Sequence, residues 1–167
     1  GAVVPHGMIQ PSPDTRIDGW DACSGYYYAD STINGFSHTH VSGTGCCDYG
    51  DVLLMPTVGK QQYRTTDPQS QRLAYASSFS HKNEIAEPGY YSVFLDTYQV
   101  KAEISSTKRG AIHRYTFPEN TESGFIIDLD YSLQRQTNSE MEIEVISDTE
   151  ICGHKKTTYW AFDQYIN

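Results

Sequence analysis

Strict alternation of apolar and polar positions marks the second half of the chain. Across residues 99–105, Val100, Ala102 and Ile104 fall on one side, and Gln99, Lys101 and Glu103 on the other. Residues 140–145 repeat the pattern, with Met141, Ile143 and Val145 opposite Glu140, Glu142 and Glu144. Successive side chains of a strand point to opposite faces, so a period of two with one apolar side predicts half-buried strands. Further strands are expected at 90–95, 112–117, 125–130 and 157–162. Polar turns separate them, such as Lys108-Arg109-Gly110 and Pro118-Glu119-Asn120. Strands at this spacing predict an all-β fold, an antiparallel sandwich or barrel. The first third reads differently. Residues 5–50 are crowded with Gly, Ser, Asp, Tyr and His, and the strand at 52–55 is the firm one in that half. Residues 60–78 read as a polar loop or exposed hairpin. No helical period and no repeat is present. A rigid sheet carrying a long irregular loop region is the usual arrangement of a binding site.

Length and charge narrow the function. The 167 residues suit one domain spanning 1–167, and the net charge is −9. Acidity of this size excludes a nucleic-acid partner, which needs clustered positive charge, and a polybasic membrane anchor. No apolar run reaches the ~20 residues of a membrane span. Aliphatic residues are sparse, but 13 Tyr and 2 Trp make up the apolar area. A core built this way carries hydroxyls that need partners. The chain starts with Gly and shows no export signal, so a leader has been removed or the chain has been cut. Its four cysteines, Cys23, Cys46, Cys47 and Cys152, contain no C-x-x-C pair of the zinc-binding kind. Adjacent Cys46 and Cys47 cannot form a relaxed disulfide with each other. The cysteines read as buried thiols, with a long-range bridge as the alternative.

The densest chemistry lies between residues 19 and 51. On a strand, His38 and His40 would share one face. Residues 42–46, Ser-Gly-Thr-Gly-Cys, let backbone amides come close to a ligand. Trp20 and Tyr26 to Tyr28 offer flat apolar faces with polar edges. A pyranose suits these parts: its C–H faces rest on aromatic rings and its hydroxyls pair with Asp, His and main-chain groups. Each feature also has a plainer reading, as tight turn, core tyrosine or exposed histidine. His38 and His40 could form half of a metal site, but further ligands are not evident nearby. Gly-Thr-Gly lacks the spacing of a dinucleotide loop.

Residues 24–56, SGYYYADSTINGFSHTHVSGTGCCDYGDVLLMP, closely resemble the N-terminal domain of the family 92 glycoside hydrolases, the bacterial exo-acting α-mannosidases. The opening GAVVPHGMIQPSPD, residues 79–93 (FSHKNEIAEPGYYSV) and residues 113–118 (HRYTFP) extend the resemblance over most of the chain. It departs from the family at Tyr27, Val41 and Cys47. The resemblance implies a β-sandwich of the supersandwich kind, incomplete at both ends relative to the family. It also implies a missing C-terminal (α/α)6 barrel that holds the catalytic carboxylates and the calcium ligands. No catalytic residue, metal ligand or cofactor is therefore expected in this chain. Asp128 with Asp130 and Asp48 with Asp51 are rejected as a catalytic pair.

The implied activity is inverting hydrolysis of terminal α-linked mannose, with α-1,2 the favoured linkage, from mannans or N-glycans. Inversion places a general acid and a water-activating base roughly 6.5–9.5 Å apart. The domain would supply substrate-binding side chains. Trp20 would stack on the leaving-group sugar. Asp21, Tyr26, His38, His40 and Cys46 would line the terminal-mannose side, with Glu84 a further candidate. The expected partners are a mannose-terminated glycan and the missing domain, in a periplasmic or extracellular protein. A stand-alone carbohydrate-binding module and a metal enzyme using His38 and His40 are the alternatives.

Overall fold

The computed structural model describes residues 1–41, 47–63, 69–158 and 164–166. Its strands are β1 (Ser12–Asp14), β2 (Thr32–Ile33), β3 (Gly35–Ser37), β4 (Leu53–Val58), β5 (Ser77–Ser78), β6 (Ile85–Glu87) and β7 (Tyr90–Leu95). They continue with β8 (Val100–Ser106), β9 (Ala111–Thr116), β10 (Ser123–Asp128), β11 (Thr137–Ser147), β12 (Glu150–Thr158) and β13 (Gln164–Ile166). Short 3-10 turns lie at Trp20–Ala22, His81–Asn83 and Leu133–Arg135, and there is no α-helix among the described residues.

Two four-stranded sheets, ordered β1-β3-β4-β10 and β6-β7-β8-β9, form an antiparallel β-sandwich. The alternation in β8 works as the sequence predicts. Val100, Ala102 and Ile104 are buried, while Lys101 is exposed. They meet Tyr91, Val93 and Leu95 of β7 and Phe36, Leu53 and Met55 of the other sheet in one core. Aromatic rings join the sheets: Phe36 lies 6.3 Å from both Tyr91 and Tyr115, and Tyr115 lies 5.1 Å from Phe125. Such tilted contacts add to the burial of each ring. Glu103 stands on the polar side of β8, yet it is nearly covered. Arg114 grips it through Nε and Nη2 at 2.9 and 2.8 Å, Lys101 sits at 3.1 Å, and the Tyr90 hydroxyl donates at 2.9 Å. These donors, Arg114 foremost, pull the Glu103 carboxyl down to about 2.

Three expectations change. The strand at 52–55 runs on through Pro56 to Val58. Proline is tolerated there because β3 pairs with β4 only at Phe36 and Leu54, leaving that side of Pro56 without a ladder. The strand expected at 157–162 is the end of β12, which stops at Thr158; the remainder lies outside the described residues. The apolar positions of β11 are on the surface: Met141 is 43% exposed, Ile143 44% and Val145 72%. The pattern is that of a half-buried strand, but of these positions in the β11–β12 hairpin Ile143 alone lines an open cleft of about 620 Å³, together with Ile127, Leu129 and Ile151.

The base of that hairpin is fixed inside the protein. Lys155 is fully buried; its ammonium lies 2.9 Å from Asp51 Oδ1 and donates to the Tyr131 carbonyl at 2.8 Å. Asp51 also accepts from the hydroxyls of Thr39 at 2.7 Å and Thr157 at 3.1 Å. Lys155 and Thr157 are two apart on β12, so both point inward. They tie the hairpin to the loop that enters β4.

Candidate functional site

The irregular first third is held by buried polar contacts rather than by long strands. Asp14, fully buried at the end of β1, accepts from Ser37 Oγ at 2.6 Å and faces His40 Nε2 at 2.8 Å. The Gln10 carbonyl can only accept, so His40 Nδ1 donates to it at 2.7 Å. One proton shared between Nε2 and the Asp14 carboxylate completes the accounting. Gly25 is needed beside this group. It sits at φ +79°, and a Cβ there would lie 2.0 Å from Asp14 Oδ1. The close approach lets Gly25 accept from the backbone N–H groups of Thr15 and Arg16, which starts the tyrosine run in place.

That run lies over Glu84. The carboxylate accepts from the Tyr26 hydroxyl at 3.0 Å, the Tyr91 hydroxyl at 2.6 Å and His81 Nδ1 at 2.5 Å. Its side chain is 9% exposed. Burial first, then Glu84, pushes the Tyr26 and Tyr91 phenols up. The bond to Glu84 raises His81, and the Tyr28 ring stacks on that imidazole at 4.2 Å. Two adjoining recesses open here. One, about 340 Å³, is lined by Tyr26, Tyr28, His81, Glu84 and Tyr91; the other, about 330 Å³, by Gln10, Ser12, Ser24, Tyr26, His40 and Val41. Tyr26 borders both, and the second reaches His40.

The structure thus gathers Tyr26, Glu84 and His40 at neighbouring recesses. Trp20 and Asp21 stand apart on their 3-10 turn. The indole is 76% exposed, and Asp21 accepts from Arg16 at 3.3 Å. Arg16 in turn grips Asp30 and lies over the Tyr27 ring at 4.0 Å. Cys46, with the rest of the Ser-Gly-Thr-Gly-Cys segment, lies outside the described residues. His38 and His40 do not share a face. β3 ends at Ser37, and beyond it the chain turns, so the two rings diverge. His38 Nδ1 donates to the Val52 carbonyl at 2.8 Å, and its Nε2 lies 3.1 Å from His113 Nε2. His113 Nδ1 accepts from the Tyr115 hydroxyl at 2.7 Å. With both rings neutral, the state their burial favours, His113 Nε2–H donates to His38 Nε2. Burial lowers the pKa of His38, and burial together with His38 brings His113 down to about 4.

Sequence reasoning missed His81, Tyr91 and Asp14. The string FSHKNE contains His81 and Glu84 three apart, which a 3-10 turn brings together. Nothing local foretells Asp14, whose partners are 23 and 26 positions away. One member of each plain carboxylate pair, Asp48 and Asp128, is held by protein donors. Asp48 accepts from Gln136 at 2.6 Å and the Tyr49 amide at 2.9 Å, and Asp128 from the Tyr75 hydroxyl and the Tyr131 amide. Calcium does not fit the described residues. No group of three or more His, Cys, Asp or Glu there is placed for a metal ion, and the oxygens of Asp14, Asp51 and Glu84 are taken by protein donors.

Comparison with known proteins gives this geometry a lineage. The Glycosyl hydrolase family 92 N-terminal domain matches residues 1–167. A family GH92 alpha-mannosidase of Bacteroides thetaiotaomicron has the same fold with a TM-score of 0.89 and 38% identity, over 98% of this chain and 22% of that one. The family GH92 inverting mannosidase of Bacteroides thetaiotaomicron VPI-5482 matches with a TM-score of 0.72 and 28% identity, over 95% of this chain and 19% of that one. A protein of Arthroderma benhamiae described as an uncharacterized secreted glycosidase is 30% identical over 72% of this chain and 15% of its own length. The chain spans about a fifth of the solved relatives. It belongs to glycosyl hydrolase family 92, matching that family's N-terminal domain over its whole length.

Proposed function

We propose that this domain supplies one wall of the pocket in an exported glycosidase that removes terminal α-linked mannose with inversion, α-1,2 linkages first, from mannans or N-glycans. The observation that carries this is the exposed Trp20 platform in the same loop system as the recesses bordered by Tyr26, His40 and Glu84. Solved relatives described as an α-mannosidase, as its complex with mannoimidazole, and as an inverting mannosidase support mannose and inversion. The secreted glycosidase supports export to the periplasm or beyond the cell. In this reading the catalytic carboxylates and calcium are held outside the described residues, and the chain on its own does not turn over substrate. The domain's side chains bind and orient the glycan. Trp20 covers the apolar face of the leaving-group sugar, and the Tyr26–Glu84–His81 cluster holds the neighbouring wall in place.

Kinetics of the polypeptide that carries this domain test the reading. Trp20→Ala raises KM for α-mannobiose about tenfold, the loss expected for a stacking contact worth about 1.4 kcal/mol in substrate and transition state alike. kcat changes little. An unchanged KM removes Trp20 from the site.

A further inference from the structure

We propose that Cys23 and Cys47 form a disulfide that clamps the Trp20 turn to the loop leading into β4. In the structure both are thiols, and both are buried, Cys23 at 6% and Cys47 at 0% exposure. They converge on one turn. Cys23 Sγ–H donates to the Trp20 carbonyl at 2.9 Å, and Cys47 Sγ–H donates to Gly19 at 3.2 Å and to Ala22 at 3.6 Å. Both thiols thus rest on carbonyls of the same stretch, Gly19 to Ala22. Forming the bond therefore asks for closure between groups that already meet on one turn, not for a rearrangement of strands. Cys152 is exposed on the distant hairpin and is not part of this cluster.

The oxidant is a disulfide of the glutathione or dithiol-oxidoreductase class. Cys23, the more accessible of the two, attacks one sulfur of R–S–S–R and releases R–SH. Cys47 then attacks the mixed disulfide and releases a second R–SH. Two thiol protons leave on the departing thiols, one external S–S bond is reduced, and one internal S–S bond forms. The barrier is access and ionisation. Burial pushes the Cys47 thiol up to about 11, and its contact with Cys23 adds to this. Reaction accordingly waits on opening of the 3-10 turn. That turn is pinned by few backbone bonds, Ala22 to Gly19 at 3.2 Å and Gly25 to Ala22 at 2.8 Å. Once closed, the bond replaces thiol hydrogen bonds with a covalent anchor under Trp20.

The test uses the purified chain, oxidised with glutathione disulfide, alkylated and digested without reductant. The expected product is a peptide pair joined through Cys23 and Cys47, together with a rise in thermal midpoint of roughly 5–10 °C that dithiothreitol reverses. Cys46→Ser leaves both results in place, whereas Cys47→Ser abolishes them. A bond through Cys46, or all four thiols remaining open to alkylation, overturns the assignment.

Discussion

Replacing Lys155 by alanine lowers the thermal midpoint by roughly 6–20 °C. The variant leaves Asp51 charged and buried with hydroxyl donors only, and stranding one member of a buried ion pair costs about 3–5 kcal/mol. In a domain of this length each kcal/mol moves the midpoint by about 2–4 °C. The attraction between the partners is not in itself the source of the effect, because desolvating both offsets much of it. The loss arises from breaking the pair on one side. The double variant Lys155→Met with Asp51→Asn therefore recovers more than half of the loss: the amide oxygen still accepts from Thr39, its NH2 donates to the Thr157 hydroxyl, which itself donates to Asn138, and no charge is left behind. Calorimetric melting of the three proteins checks this. A single variant melting within 2 °C of the parent would show that Asp51 finds water or another donor.

Acidification from pH 6.5 to pH 4 removes on the order of 2–3 kcal/mol through the His38–His113 pair. The sign follows from proton binding. In the unfolded chain His113 titrates near its ordinary 6.5, but folded it titrates at about 4, so the unfolded state binds more protons between these values. Stability is full above 6.5 and drains away as the pH falls through the window. His38 shifts the same way, because burial disfavours its charged form as well. The second window lies lower. Glu103, held at about 2 by Arg114, Lys101 and Tyr90, gives up its contribution between about 4.5 and 2. His113→Gln separates the two, since the amide still donates to His38 Nε2 and does not titrate. Urea midpoints measured from pH 7 to pH 3 show the upper step reduced to the His38 part in this variant, with the lower one kept whole. An unaltered profile would place the acid sensitivity elsewhere.

The period-two pattern of β8 was legible because one face of the strand meets the core, whereas β11 alternates as strictly with its apolar positions on the surface. β7 and β8 lie where alternation puts them, and β9 and β10 shift by only one or two residues. The first third resists such reading. β1, β2 and β3 are two or three residues long and held in place by side chains such as Asp14, Ser37 and Thr15, so no periodicity can develop. The aromatic and acidic composition of the site was readable, but its connections were not. Glu84 and Tyr26 are 58 positions apart, and His38 and His113 are 75 apart. Lys155 lies ahead of the strand expected at 157–162, and the tertiary position of Asp51 explains its burial.

A core rich in phenols also limits the protein at the alkaline end. Tyr75, Tyr91, Tyr115 and Tyr131 all resist ionisation because burial disfavours the phenolate. The unfolded chain ionises near pH 10, so above that value its phenols release protons that the native protein retains. Base titration of these four then proceeds by collapse of whole molecules, and their share of the tyrosinate absorbance rises in step with loss of the native state rather than ahead of it.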